Sequence, residues 1–107
     1  MEFTSITHYV AELMFAYDNR AAKFTDCEMR LVELLKFALT GKEWDCFVLR
    51  YNYFYSFNKI ACAMDMSARG VRRTLSSARK KMFDLRKSSL IFKEFELNVI
   101  LLGQRKR

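Results

Sequence analysis

The sequence predicts an all-α fold, and three observations predict it. No proline occurs in the 107 residues, so no ring clash bars a helix interior anywhere along the chain. Apolar residues recur at spacings of three and four through most of the sequence, which is the period of a helix with one buried side. Serine or threonine heads each of the first five periodic stretches, where its oxygen can satisfy a backbone N–H that the first helical turn leaves unbonded.

The first stretch is expected to begin at Thr4 or Ser5 and to carry Ile6, Val10, Leu13, Met14 and Tyr17 until Asp18 and Asn19 end it. In the second, Thr25 and Glu28 have capping-box spacing, and Leu31, Val32, Leu34, Leu35 and Ala38 form a broad apolar face up to Leu39. The third repeats the box with Thr40 and Glu43 and continues through Phe47, Val48 and Tyr51. Asn52 to Tyr55 read as a connector. Ser56 can cap a short fourth helix through Ile60, Ala61 and Met64, and Asp65 and Met66 then turn tightly into Ser67. Ser67 caps a longer helix to about Leu85, with Val71, Leu75, Ala78, Met82 and Leu85 as its inward stripe.

The last segment fits two patterns. Phe95, Leu97, Val99 and Leu101 alternate as in a strand, whereas Ile91, Phe92, Phe95, Val99 and Leu102 suit a helix. Either form is too apolar for a loose tail, so it is expected to pack on the N-terminal helices or to form a dimer seam. Arg105, Lys106 and Arg107 are expected to be a flexible basic tip. The organisation expected is therefore 1–38 as an N-terminal helical extension, 39–87 as the central unit and 88–107 as a packing or dimerisation segment.

Composition narrows the classes of function. With 51% hydrophobic and 29% charged residues, the chain can build a core and is not a disordered tail. No apolar run approaches the roughly 20 residues that span a bilayer, and Met1 to Tyr17 lacks the basic start and cleavage site of a secretory signal; a cytoplasmic protein is expected. Cys27, Cys46 and Cys62 have no metal-site spacing and His8 is the one histidine, so they are read as reduced core thiols with no metal. Gly41, Gly70 and Gly103 make no phosphate loop. Neither an enzyme nor a cofactor is expected.

The net charge of +7 is confined to one place. From Ser67 to Lys87 the basic residues Arg69, Arg72, Arg73, Arg79, Lys80, Lys81, Arg86 and Lys87 face only Asp84, while the remaining 86 residues hold 11 basic and 11 acidic groups. Such a focused positive field is the footprint of a surface that meets phosphates. A short helix, a three-residue turn and a longer basic helix also satisfy the geometry of a helix-turn-helix, whose second helix enters the major groove of DNA. Asp65 occupies the turn position where glycine is usual; among non-glycine residues, aspartate tolerates the left-handed conformation well.

The run Leu39-Thr40-Gly41-Lys42-Glu43 with Leu49-Arg50-Tyr51, followed by Ile60-Ala61, Ser67, Val71-Arg72-Arg73 and Ala78-Arg79-Lys80-Lys81-Met82, resembles region 4 of sigma-70-type RNA polymerase sigma factors. LuxR-type regulators share the Leu-Thr-x-x-Glu opening, but the Ala-Arg-Lys-Lys ending fits the sigma pattern better. The resemblance covers residues 39 to 86. It implies a recognition helix docked in the major groove, a second face that contacts polymerase, and a free-standing module, as in phages and mobile elements, rather than a complete sigma factor. Ala68, Arg69 and Arg73 match positions near base edges, Arg72 a backbone-contacting position and Arg50 a position near phosphate.

The expected function is that of a sequence-specific, DNA-binding transcriptional regulator. Its expected DNA-facing set is Arg50, Ser67, Ala68, Arg69, Arg72, Arg73, Ser76, Arg79, Lys80 and Lys81. Double-stranded DNA is the expected partner, with RNA polymerase and a second copy of the chain as further candidates. The alternative is an interaction protein that uses the sigma-like fold to bind polymerase or another host protein. Two features stay open at this level. Gly70 stands early in the recognition helix, either for close approach to DNA or by neutral drift. Tyr51, Tyr53, Phe54, Tyr55 and Phe57 crowd the connector, where packing on the added helices is favoured over base stacking.

Overall fold

A computed structural model describes the backbone of residues 3–20 and 23–105, and the side chains of residues 6–20 and 23–98. Among these residues six helices follow one another: α1 Phe3–Asn19, α2 Asp26–Ala38, α3 Gly41–Tyr51, α4 Phe57–Met64, α5 Ala68–Ser88 and α6 Leu90–Arg105. There is no strand among the described residues. Among them, also, no helix is long and apolar enough to cross a membrane.

Local chemistry sets most helix starts. Both capping boxes form: Thr25 and Thr40 each accept from the backbone N–H three residues on, while Glu28 and Glu43 accept from the N–H of the capping residue at 2.9 and 2.8 Å. Ser56 and Ser67 cap α4 and α5 through their hydroxyl oxygens. α1 departs from expectation, because Phe3 is already helical and Thr4 and Ser5 fall within its first turn. The first-turn N–H groups have no intrahelical acceptor in any case, so Thr and Ser at those positions do not fix the starting residue.

Two apolar clusters hold the helices. The larger joins Ile6, Val10 and Met14 of α1, Leu31, Val32 and Leu35 of α2, Trp44 and Phe47 of α3, Ala78 and Met82 of α5, and Phe92 and Phe95 of α6. It draws on all three stretches into which the sequence divides. The smaller cluster, Cys46, Ile60, Ala61, Val71 and Leu75, packs α4 against the first half of α5 with α3 behind them. Two helices, α3 and α5, therefore serve both clusters, and Ala78 gives α3 room to cross α5. Trp44 Nε1 donates to Asp18 Oδ2 at 2.7 Å, fastening the end of α1 to α3.

The C-terminal segment is helical, which settles the ambiguity between strand and helix up to Arg105. Phe92 and Phe95 are buried at spacing three, so the helical period wins. The side chains of Val99, Leu101 and Leu102, and the basic tip at Lys106 and Arg107, lie outside the described residues. Ser89 alone separates α5 from α6, and Arg86 clamps Glu96 across that joint with Nε and Nη2 at 2.7 and 2.8 Å from the two carboxylate oxygens. The thiols do not share one environment: Cys46 is buried, Cys27 half-buried and Cys62 exposed. Cys62 is no core thiol, because it lies on the side of α4 turned away from the small cluster.

Candidate nucleic-acid interface

The site is built on the joint between α4 and α5. Asp65 adopts the left-handed conformation, with φ 53° and ψ 52°, and its backbone N–H closes α4 on the carbonyls of Ala61 and Cys62. The chain reverses there and enters α5 three residues later, at Ala68. Ser67 Oγ then accepts from Gly70 N–H at 2.9 Å. A Cβ added at Gly70 sits 3.1 Å from that same oxygen, so the glycine leaves room for the cap, a local reason beside the two weighed from sequence.

The buried stripe Val71, Leu75, Ala78 and Met82 fixes which way the rest of α5 points. At about 100° per residue, Arg69, Arg73, Ser76 and Lys80 fall on the opposite side, and all four are exposed. Ala68 is half-buried at the start of the helix. Among the described residues, no carboxylate lies within ion-pair distance of Arg69, Arg72, Arg73, Arg79 or Lys80. The outward face is a cationic strip more than two helical turns long.

The two flanks of α5 behave differently. On one, the guanidinium of Arg72 stands 5.2 Å from the centroid of Phe57, and Arg50 of α3 stands 4.5 Å from the same ring. Arg50 Nη1 also donates to the carbonyl of Tyr55 at 2.8 Å, bracing the connector that turns from α3 into α4. Arg79 Nη1 donates to Tyr51 Oη at 3.2 Å. Lys59, at the first turn of α4, lies 4.1 Å from the Tyr55 ring centroid. Arg50, Lys59 and Arg72 thus surround the start of α4, where unbonded N–H groups and the helix dipole add positive potential. Sequence reasoning missed Lys59, because it lies outside the segment in which the charge excess was counted.

On the other flank, Lys81 Nζ lies 2.7 Å from Glu43 Oε1, and Ser77 Oγ donates to Glu43 Oε2 at 2.6 Å. Burial alone would raise the Glu43 pKa. The hydrogen bonds from Lys81, Ser77 and the Thr40 backbone N–H, with the charge of Lys81, outweigh it and lower the value to about 2. The Lys81 ammonium is therefore committed to the protein's own carboxylate, unlike the rest of the DNA-facing set read from sequence. Arg86 is likewise clamped by Glu96, and Lys87 lies over the Phe83 ring at 4.3 Å.

The aromatic connector touches α1 while two of its rings stay open to solvent, Tyr53 at 46% and Phe54 at 68% exposure. Tyr53 meets Phe15 edge-on at 5.4 Å, and Phe54, held at φ 60°, meets His8 edge-on at 5.4 Å. Both contacts are made with α1, one of the added helices, and the outer faces of the two rings stay exposed. The described residues contain no group of three or more His, Cys, Asp or Glu placed to hold a metal ion. No family model, no curated protein and no solved structure matches this chain.

Proposed function

We propose that the chain is a non-enzymatic regulator that binds duplex DNA in a sequence-specific manner, with α4 and α5 acting as a helix-turn-helix and α5 entering the major groove. The observation that carries this reading is the outward face of α5: Arg69, Arg73, Ser76 and Lys80 are exposed opposite the core stripe, and among the described residues no carboxylate lies within ion-pair distance of the three cations. Residues at the start of the second helix of such a motif come nearest the bases, so Arg69 and Arg73 read base edges. Each can offer a guanine a bidentate pair worth about 1 to 3 kcal/mol of discrimination. Arg72, Arg79, Lys80 and the cluster around the start of α4 hold the phosphate backbone. The resemblance of residues 39 to 86 to sigma factor region 4 supports the same reading and makes RNA polymerase a second candidate partner.

The test is selection of bound duplexes from a random pool, followed by a salt titration on the winner. A single enriched motif is expected, with log affinity falling against log salt at a slope of about −4 for four or five neutralised phosphates. A pool that stays random through the selection, with no salt-dependent retention of any duplex, rejects the proposal.

A further inference from the structure

Over residues 90–98, whose side chains are described, helix α6 buries one side and exposes the other. Phe92 and Phe95 enter the core, while Leu90 is 80% and Leu97 is 57% exposed. Seven residues apart, these leucines stand on one line along the helix, drifting by only about 20°. Lys93 and Glu94, both exposed, fall between them on opposite flanks. Lys93 lies on the side of α5, where it lines a groove with Phe83, Lys87 and Leu97. Glu94 lies on the side of α2, near enough for its charge to act on Cys27. The face is an apolar line with a cation along one edge and an anion along the other.

We propose that this face pairs with the same face of a second copy of the chain, the two α6 helices lying parallel about a two-fold axis that runs along them. Rotation about such an axis brings the cationic edge of one helix against the anionic edge of its partner. Leu90 then meets the partner's Leu90, Leu97 meets the partner's Leu97, and Lys93 meets the partner's Glu94 on both sides of the seam. A two-fold interface has to be complementary to itself, and this charge arrangement is so only in the parallel order. An antiparallel pair sets lysine beside lysine and glutamate beside glutamate. A partner helix with a uniformly acidic or basic face is repelled along one edge. In paired helices, charges beside an apolar seam set the choice of partner and orientation. The pairing goes beyond the DNA-binding reading and stands without it, since it is measured on the protein alone.

The experiment is sedimentation equilibrium of the full chain in low salt, with K93E, E94K and the K93E/E94K double variant. Wild type is expected to dimerise. Each single variant turns two attractive contacts into two repulsive ones and should weaken self-association about tenfold, and the double variant should regain it. Mixing the two single variants in equal amounts should restore association as a heterodimer. Circular dichroism checks that each variant is folded, which the exposure of both positions favours. A wild type that stays monomeric to millimolar concentration, or a dimer that neither single variant loosens, overturns the proposal.

Discussion

Arg50 of α3 and Arg72 of α5 stand over the same Phe57 ring, 4.5 and 5.2 Å from its centroid. A residue of α4 thereby sets the position of two cations from different helices. Phe57→Leu keeps an apolar filler but removes a cation–π contact of about 0.5 to 1 kcal/mol from each. Affinity for the selected duplex is expected to drop several-fold with the ranking of sequences unchanged, as read by fluorescence anisotropy. Equal affinity in the variant shows that the ring does not organise the two guanidiniums.

Glu43 makes acid stability predictable in sign. Its folded pKa of about 2 lies below the ordinary 4.5, so its contribution is complete above the ordinary value and fades as pH falls from about 5 toward 2. A difference of this size corresponds to about 3 kcal/mol. Glu43→Gln should destabilise the protein by about 2 kcal/mol at neutral pH and flatten the acid limb of a urea-denaturation series. An equally steep acid limb in the variant assigns the effect to other carboxylates.

Lys80 and Lys81 are neighbours in sequence with different duties. Lys80→Ala should lower the magnitude of the salt slope of DNA binding by about 1 and leave stability within about 0.5 kcal/mol. Lys81→Ala should do the reverse, because it strips the partner from a carboxylate on a residue only 5% exposed. A loss of slope in Lys81→Ala, with stability intact, places its ammonium on phosphate and not on Glu43.

Arg69 and Arg72 should separate by specificity. Arg72→Ala is expected to weaken binding to all duplexes alike, whereas Arg69→Ala should also relax base preference at one position. Binding-site selection with both variants measures this, and an unchanged motif in Arg69→Ala removes it from the reading set.

Asp65 stores a small conformational cost in the turn. Asp65→Gly should stabilise the fold by a few tenths to 1 kcal/mol, since glycine takes the left-handed region without a Cβ penalty. Asp65→Val should cost about 1 to 2 kcal/mol. Chemical denaturation of the pair, compared with wild type, gives the order directly.

The sequence shows what is local. Thr25 with Glu28, Thr40 with Glu43, Ser56 and Ser67 announce four helix starts because a cap needs only its own first turn. The stripe Val71, Leu75, Ala78, Met82 fixes the inward side of α5, and with it the outward strip. The Glu43, Ser77 and Lys81 cluster was hidden, since its members are 34 and 38 residues apart and meet only after α3 crosses α5. The convergence of Arg50 and Arg72 on Phe57 depends on the same crossing. The C-terminal segment offered two periods at once, and burial of Phe92 and Phe95 chose between them. Nothing local told exposed Cys62 from buried Cys46.

The one-residue joint at Ser89 couples α5 to α6. With 21 residues, α5 is about 30 Å long, and the Arg86 clamp on Glu96 ties its far end to the orientation of α6. A load placed on α6 is thus carried by the Arg86–Glu96 pair into the helix that presents Arg69, Arg73 and Lys80 further along its length.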